Sequence, residues 1–144
     1  MLQDLYTVLV KLFREAEEPF SGLGLLVCDE TSKIPLYPLY RSIPQLSGTN
    51  LYEKLREISS FNNPHHDGFH IVSSKLELTH VAHYFYPPPV KGMSLDSHKH
   101  YGARYFVAQT GSVINGVFYT AVVGGNYGVC IFENGRELIS FTHD

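Results

Sequence analysis

Basic runs, long apolar stretches and paired cysteines are all scarce in this chain, and each absence closes off a class of function. Eleven Lys and Arg face fourteen Asp and Glu, for a net charge of −3. No basic run exists to track a phosphate backbone, so neither DNA nor RNA is an expected partner. The same balance disfavours binding to an anionic membrane surface. No apolar stretch approaches the ~20 residues of a spanning helix. The N-terminus carries acids and lacks the shape of a signal peptide, so a cytoplasmic location is expected. The two cysteines, Cys28 and Cys130, each lie in an apolar run, and no CxxC or zinc spacing is present. They read as buried, reduced thiols, not as nucleophiles. No P-loop occurs, and Ser112 follows Gly111 without the first glycine of a nucleophile elbow.

What remains is an ordinary globular composition. At 144 residues, 44% hydrophobic and 17% charged, the chain makes a single domain. A chain of this size buries roughly 70% of its unfolded surface without staples. Leu2, Leu5, Leu9, Leu12 and Phe13 recur at helical spacing, predicting an amphipathic helix over residues 2–18 that ends before Pro19. The core is expected over residues 21–142. Gly22 to Cys28 reads as a buried strand, and residues 30–46, with three prolines, as an irregular excursion. Asn50 followed by Glu53 marks a helix start, with Leu51, Leu55 and Ile58 facing inward. Phe69–Val72 and Leu76–Tyr86 read as strands joined by a turn, the second stopped by Pro87-Pro88-Pro89. Arg104 to Gln109 predicts a short helix. Three further strands follow, the last two joined by Asn134-Gly135, a strong hairpin signal. The pattern is a mixed central β-sheet flanked by helices, an α/β domain.

Eight histidines draw attention to metals. His98 and His100 are two apart in a polar loop over residues 90–101. His80 and His83 are three apart on a strand, which puts them on opposite faces. His65, His66 and Asp67 are adjacent, and sequence neighbours rarely converge on one ion. A dedicated zinc site, a single histidine touching a nucleotide-bound divalent ion, and solvated histidines all remain open. Gly102-Ala103-Arg104 suits phosphate: helix N-terminal N–H groups point at the anion and arginine adds a bidentate charge. The alternative there is an ordinary helix start with a surface arginine.

Together these segments resemble the diadenylate cyclase domain, which condenses two ATP into cyclic di-AMP. Ser21 to Val27 is similar to the family's first core strand. Asn63-Pro64 and His66-Asp67-Gly68-Phe69 stand where it has Asn-Pro and then His-Asp-Gly-Ala. Tyr84 to Pro88 matches its Leu-Pro strand end. Gly102-Ala103-Arg104-Tyr105-Phe106 matches Gly-Thr-Arg-His-Arg, and Val122 to Gly128 matches Val-Val-Ser-Glu-Glu-Thr-Gly. Order and spacing make the combination stronger than any one motif.

The resemblance implies an Asp67 that activates a ribose hydroxyl, or holds base or ribose with Gly68. It implies a Phe69 that stacks on or narrows the base pocket, and Gly102, Ala103 and Arg104 on the phosphates. It implies His66 as a ligand for Mg²⁺ or Mn²⁺. Departures are concentrated in the charged positions. Ala103 replaces a hydroxyl donor, Tyr105 and Phe106 replace two basic side chains, and Gly125-Asn126 replaces a Glu pair. Several lost electrostatic contacts, each worth roughly 3 kcal/mol, cost phosphoryl transfer more than binding. The expectation is a sensor for an adenine nucleotide or cyclic dinucleotide that has given up synthesis. The alternatives are an active divergent cyclase and an interaction domain using Tyr84 to Pro89 as a docking surface. A homodimer is the assembly the resemblance implies.

Overall fold

The computed structural model describes residues 1–93 and 102–142. The loop bearing His98 and His100 lies outside them. One mixed seven-stranded sheet runs through the domain. The elements are α1 (Leu2–Arg14), β1 (Leu23–Cys28), β2 (Leu36–Pro38), α2 (Leu51–Ile58), β3 (Phe69–Val72), β4 (Leu78–Phe85), α3 (Gly102–Gly111), β5 (Val117–Gly124), β6 (Gly128–Glu133) and β7 (Arg136–Phe141). The strand order is β2-β4-β3-β1-β5-β6-β7, with β1 and β3 parallel and the other neighbours antiparallel. This is the expected α/β architecture.

Alternation along the central strands makes two apolar layers. Leu23, Leu25 and Val27 of β1 face α1 and α2, where Leu5, Leu9, Leu12, Leu55 and Ile58 are buried. Leu26 and Cys28 face the other way, with Val122, Phe132 and Ala108 of α3. Both cysteines are buried, and burial pushes the Cys28 thiol up to about 11. A thiol held protonated is inert, as expected.

Four boundaries differ from the sequence reading. α1 stops at Arg14 with Glu15 as its C-cap, short of residue 18. Glu15, Glu17 and Glu18 would crowd acids onto the negative end of the helix dipole. The 30–46 excursion is not wholly irregular, since Leu36–Pro38 adds an edge strand to β4. Pro38 is tolerated there because an edge position needs no ladder donor. β4 begins at Leu78 because Leu76, at φ 60°, still belongs to the turn closed by the Ser73 N–H on the Glu77 carbonyl. α3 runs from Gly102 to Gly111, longer than expected. The helix start at Asn50 holds: its side chain accepts the Glu53 N–H at 2.8 Å, while Glu53 reaches back to the Thr49 N–H. Asn134 and Gly135 both have positive φ, as a primed hairpin turn requires.

A fifth difference concerns chemistry. His80 and His83 do not lie on opposite faces: their rings meet edge-on with centroids 5.2 Å apart. Phe69 pairs with His83 and Ile71 with His80, so β4 carries one extra residue in this stretch. Ala82 takes φ 56° in this bulge. The extra residue resets the two-residue alternation and turns both imidazoles to one side.

Candidate functional site

The segments singled out in the sequence gather at one end of the sheet. Because β1 and β3 are parallel, Gly22 and Gly68 precede their strands at the same end. β5 is antiparallel to β1 and pairs Leu23 with Val123, so Gly124 arrives there too. Tyr127 follows in the β5–β6 turn. α3 packs over β1, β5 and β6, with its N-terminal turn close to these strand ends.

Arg104 makes the link. One guanidinium Nη1–H donates to the Ser21 carbonyl at 3.2 Å. The side chain lies over Gly22: a Cβ there would stand 3.2 Å from that nitrogen and 2.5 Å from the Val123 carbonyl oxygen. Gly22 also takes φ +71°, a conformation L residues avoid. Among the described residues Arg104 forms no ion pair with a carboxylate. A Cβ on Gly102 would meet no atom of the described residues within 4 Å. The first turn of α3 and the Arg104 guanidinium thus lie side by side over the β1 end.

The His65-His66-Asp67-Gly68 turn forms the adjacent wall. Gly68, at φ +78°, lies against the His83 carbonyl, which a Cβ would approach to 2.5 Å. Asp67 is exposed, and its Oδ1 stands 3.4 Å from His66 Nδ1, near enough for charge attraction without hydrogen-bond alignment. Among the described residues His65 Nε2, His66 Nδ1 and His70 Nε2 are all buried without a hydrogen-bond partner. Such orphaned groups each cost about 1–3 kcal/mol. Two of the three lie in the turn and the third, on His70, lies in β3 just beyond it. Among the described residues no group of three or more His, Cys, Asp or Glu is placed to hold a metal ion.

Phe69 sits beneath this wall. Its ring is 5% exposed, meets Phe85 edge-on at 5.3 Å, and covers Gly24. Tyr105 turns toward the sheet, edge-on to Phe132 at 4.9 Å, and its hydroxyl donates to Glu137 at 3.1 Å. Phe106 is 39% exposed. Tyr105 therefore serves packing, and Phe106 lies at the surface. Ala103 is exposed on the first turn of α3.

Two residues at the site escaped the sequence reading. Tyr127 is buried against Gly124, and burial pushes its phenol up to about 12, partly opposed by Arg104. His70 is fully buried, with its ring nitrogen Nδ1 accepting the Ala82 N–H at 3.0 Å. That bond leaves the ring proton on Nε2. Burial, reinforced by Arg104 and neighbouring imidazoles, drives the His70 pKa down to about 3. The place of His70, two residues past the glycine on an otherwise apolar strand, was the available signal.

The fold is a single α/β domain built on one mixed seven-stranded sheet, and a solved structure shares it. The particular likeness is to a crystal structure of a double mutant of DacA from Staphylococcus aureus, with a TM-score of 0.61. Identity is 20%, and the alignment covers 96% of this chain and 88% of that one. At that identity the likeness shows the fold. No protein-family model and no curated protein matches the sequence.

Proposed function

We propose that this chain is a nucleotide-recognition domain for an adenine nucleotide or a cyclic dinucleotide, and that it no longer synthesises one. The observation that carries this reading is Arg104, in the first turn of α3 and without a carboxylate partner among the described residues, lying over Gly22. Gly102, Ala103 and Arg104 would take the phosphates. Asp67 and Gly68 would contact ribose or base, with Phe69 as the floor of the base pocket. A divalent ion, Mg²⁺ or Mn²⁺, would enter on the phosphates of a triphosphate, with His66 the side chain at hand to touch it. Gly125 and Asn126 supply no carboxylate for that ion, and Tyr105 and Phe106 no positive charge for the leaving group. Those losses support recognition over catalysis. Isothermal titration of the folded chain with ATP and with cyclic di-AMP tests the proposal. Heat of binding is expected with at least one; none with either would sink it.

Retention of Asp67 favours one second reading, a divergent diadenylate cyclase. Incubation with ATP and Mn²⁺, followed by mass spectrometry, separates the two. Cyclic di-AMP formed by the chain and lost on Asp67→Ala would establish the enzyme and end the sensor reading.

A further inference from the structure

A cavity of about 660 Å³ lies between β4 and the segment from Tyr37 to Leu46. It is on the opposite face of the sheet from α3. Leu46, Leu78 and Val81, which line it, pack with the layer of α1 and α2, whereas Tyr105 and Val107 of α3 pack in the other layer. Lys54 of α2 also lines it. The volume falls within the range of small-molecule sites.

The lining carries an unusual charge for a chain of net −3. Arg41, Lys54, His80 and His83 contribute to the wall, and no Asp or Glu does. Neither Arg41 nor Lys54 forms an ion pair among the described residues. His80 and His83 are both present only because the bulge at Ala82 turns them to the same side. That bulge is held by a buried polar contact, the Ala82 N–H on His70. The opposite wall is apolar and open: Tyr37 is 66% and Ile43 89% exposed. Tyr40 anchors the segment by tilting onto the His65 ring at 4.5 Å.

We infer that this cavity is a second ligand site, for a small organic phosphate with a flat apolar body. Two fixed cations and two imidazoles with no compensating acid match a dianion. Tyr37, Ile43, Leu46 and Leu78 offer the surface for an apolar body. The inference does not rest on nucleotide binding at Arg104: the two places share no cation, and they meet only where Tyr40 and His83 touch the His65–Gly68 turn.

The probe is phenyl phosphate, with benzyl alcohol as its uncharged counterpart, titrated into ¹⁵N-labelled protein. Phenyl phosphate is expected to shift the Thr79–His83 amides and to leave those of α3 unmoved. Arg41→Met with Lys54→Met keeps the apolar stems and removes the charges. It should weaken phenyl phosphate by about tenfold or more, the loss of a charge-assisted contact. If that variant fails to fold, Arg41→Gln alone, on an exposed segment, should still weaken binding. Benzyl alcohol binding as tightly as phenyl phosphate would overturn the inference. So would shifts confined to residues 102–108, affinity indifferent to both variants, or no shifts at millimolar probe. Failure here leaves ATP titration at the strand-end site unaffected, so the two readings stand or fall separately.

Discussion

Arg104 and Gly22 act as one unit: the glycine makes the room and the backbone turn, and the arginine occupies it. Arg104→Ala should leave the fold intact, because its one hydrogen bond among the described residues is to a part-buried backbone carbonyl. It should weaken nucleotide binding roughly 10- to 100-fold, the worth of a charged hydrogen bond. Titration calorimetry on wild type and variant checks this. Gly22→Ala should do two things together. It should destabilise the chain by about 1–2 kcal/mol through the left-handed backbone, and it should displace Arg104 and so weaken binding. Urea unfolding reads the first and titration the second; loss of stability with unchanged affinity would separate the two residues. His70 makes a pH prediction. Its folded pKa, about 3, lies below the ordinary 6.5. The unfolded chain therefore binds a proton between those values that the folded chain refuses. Stability is unaffected above the unfolded value and falls as pH drops below it, by up to about 1.4 kcal/mol per pH unit. His83, lowered chiefly by burial, adds in the same direction. Denaturant midpoints from pH 7 to pH 5 should fall less steeply in His70→Gln.

At the level of elements, the bulge in β4 and the seating of α3 decide what the sheet presents. The bulge at Ala82 depends on an acceptor for a buried N–H, and His70 Nδ1 is that acceptor. Replacing it by Leu removes the acceptor and should cost about 1–3 kcal/mol. If regular pairing then returns, His80 and His83 should part to opposite faces, visible as loss of contacts between their ring protons by NMR. α3 is fastened to β5 by Thr120, whose buried hydroxyl donates to the Ala108 carbonyl. Tyr105 and Glu137 tie the same helix to β7. Thr120→Val strands that carbonyl and should destabilise by about 1–3 kcal/mol, read by chemical unfolding. Through these fastenings Tyr105 and Thr120 help the helix hold Arg104 over β1.

At the scale of the whole molecule, a ligand that binds only the folded chain raises its stability. At about a hundred times its Kd the gain is ~2.7 kcal/mol, or a rise in Tm of roughly 5–10 °C for a domain of this size. Thermal melts with ATP and with cyclic di-AMP therefore screen the proposed function independently of heat. The architecture was legible in the chain. Apolar periodicity and Pro, Asn and Gly punctuation are local signals, and they placed α1, α2, β1, β3 and the last hairpin. Order and spacing of short motifs pointed to the strand-end site, because the segments that carry them lie at the same end of neighbouring strands or at the start of the helix packed over them. The edge strand Leu36–Pro38 was not legible, since its pairing with β4 is a long-range event without a periodic mark of its own. The shared face of His80 and His83 was misread for a related reason. Alternation along a strand is a rule of local geometry, and a bulge breaks it through a contact with His70, twelve residues away. By itself the sequence determined the two apolar layers, the turns and the residues available at the site. Only the tertiary structure decided which charges stand without partners, because pairing depends on what the sheet brings alongside each one.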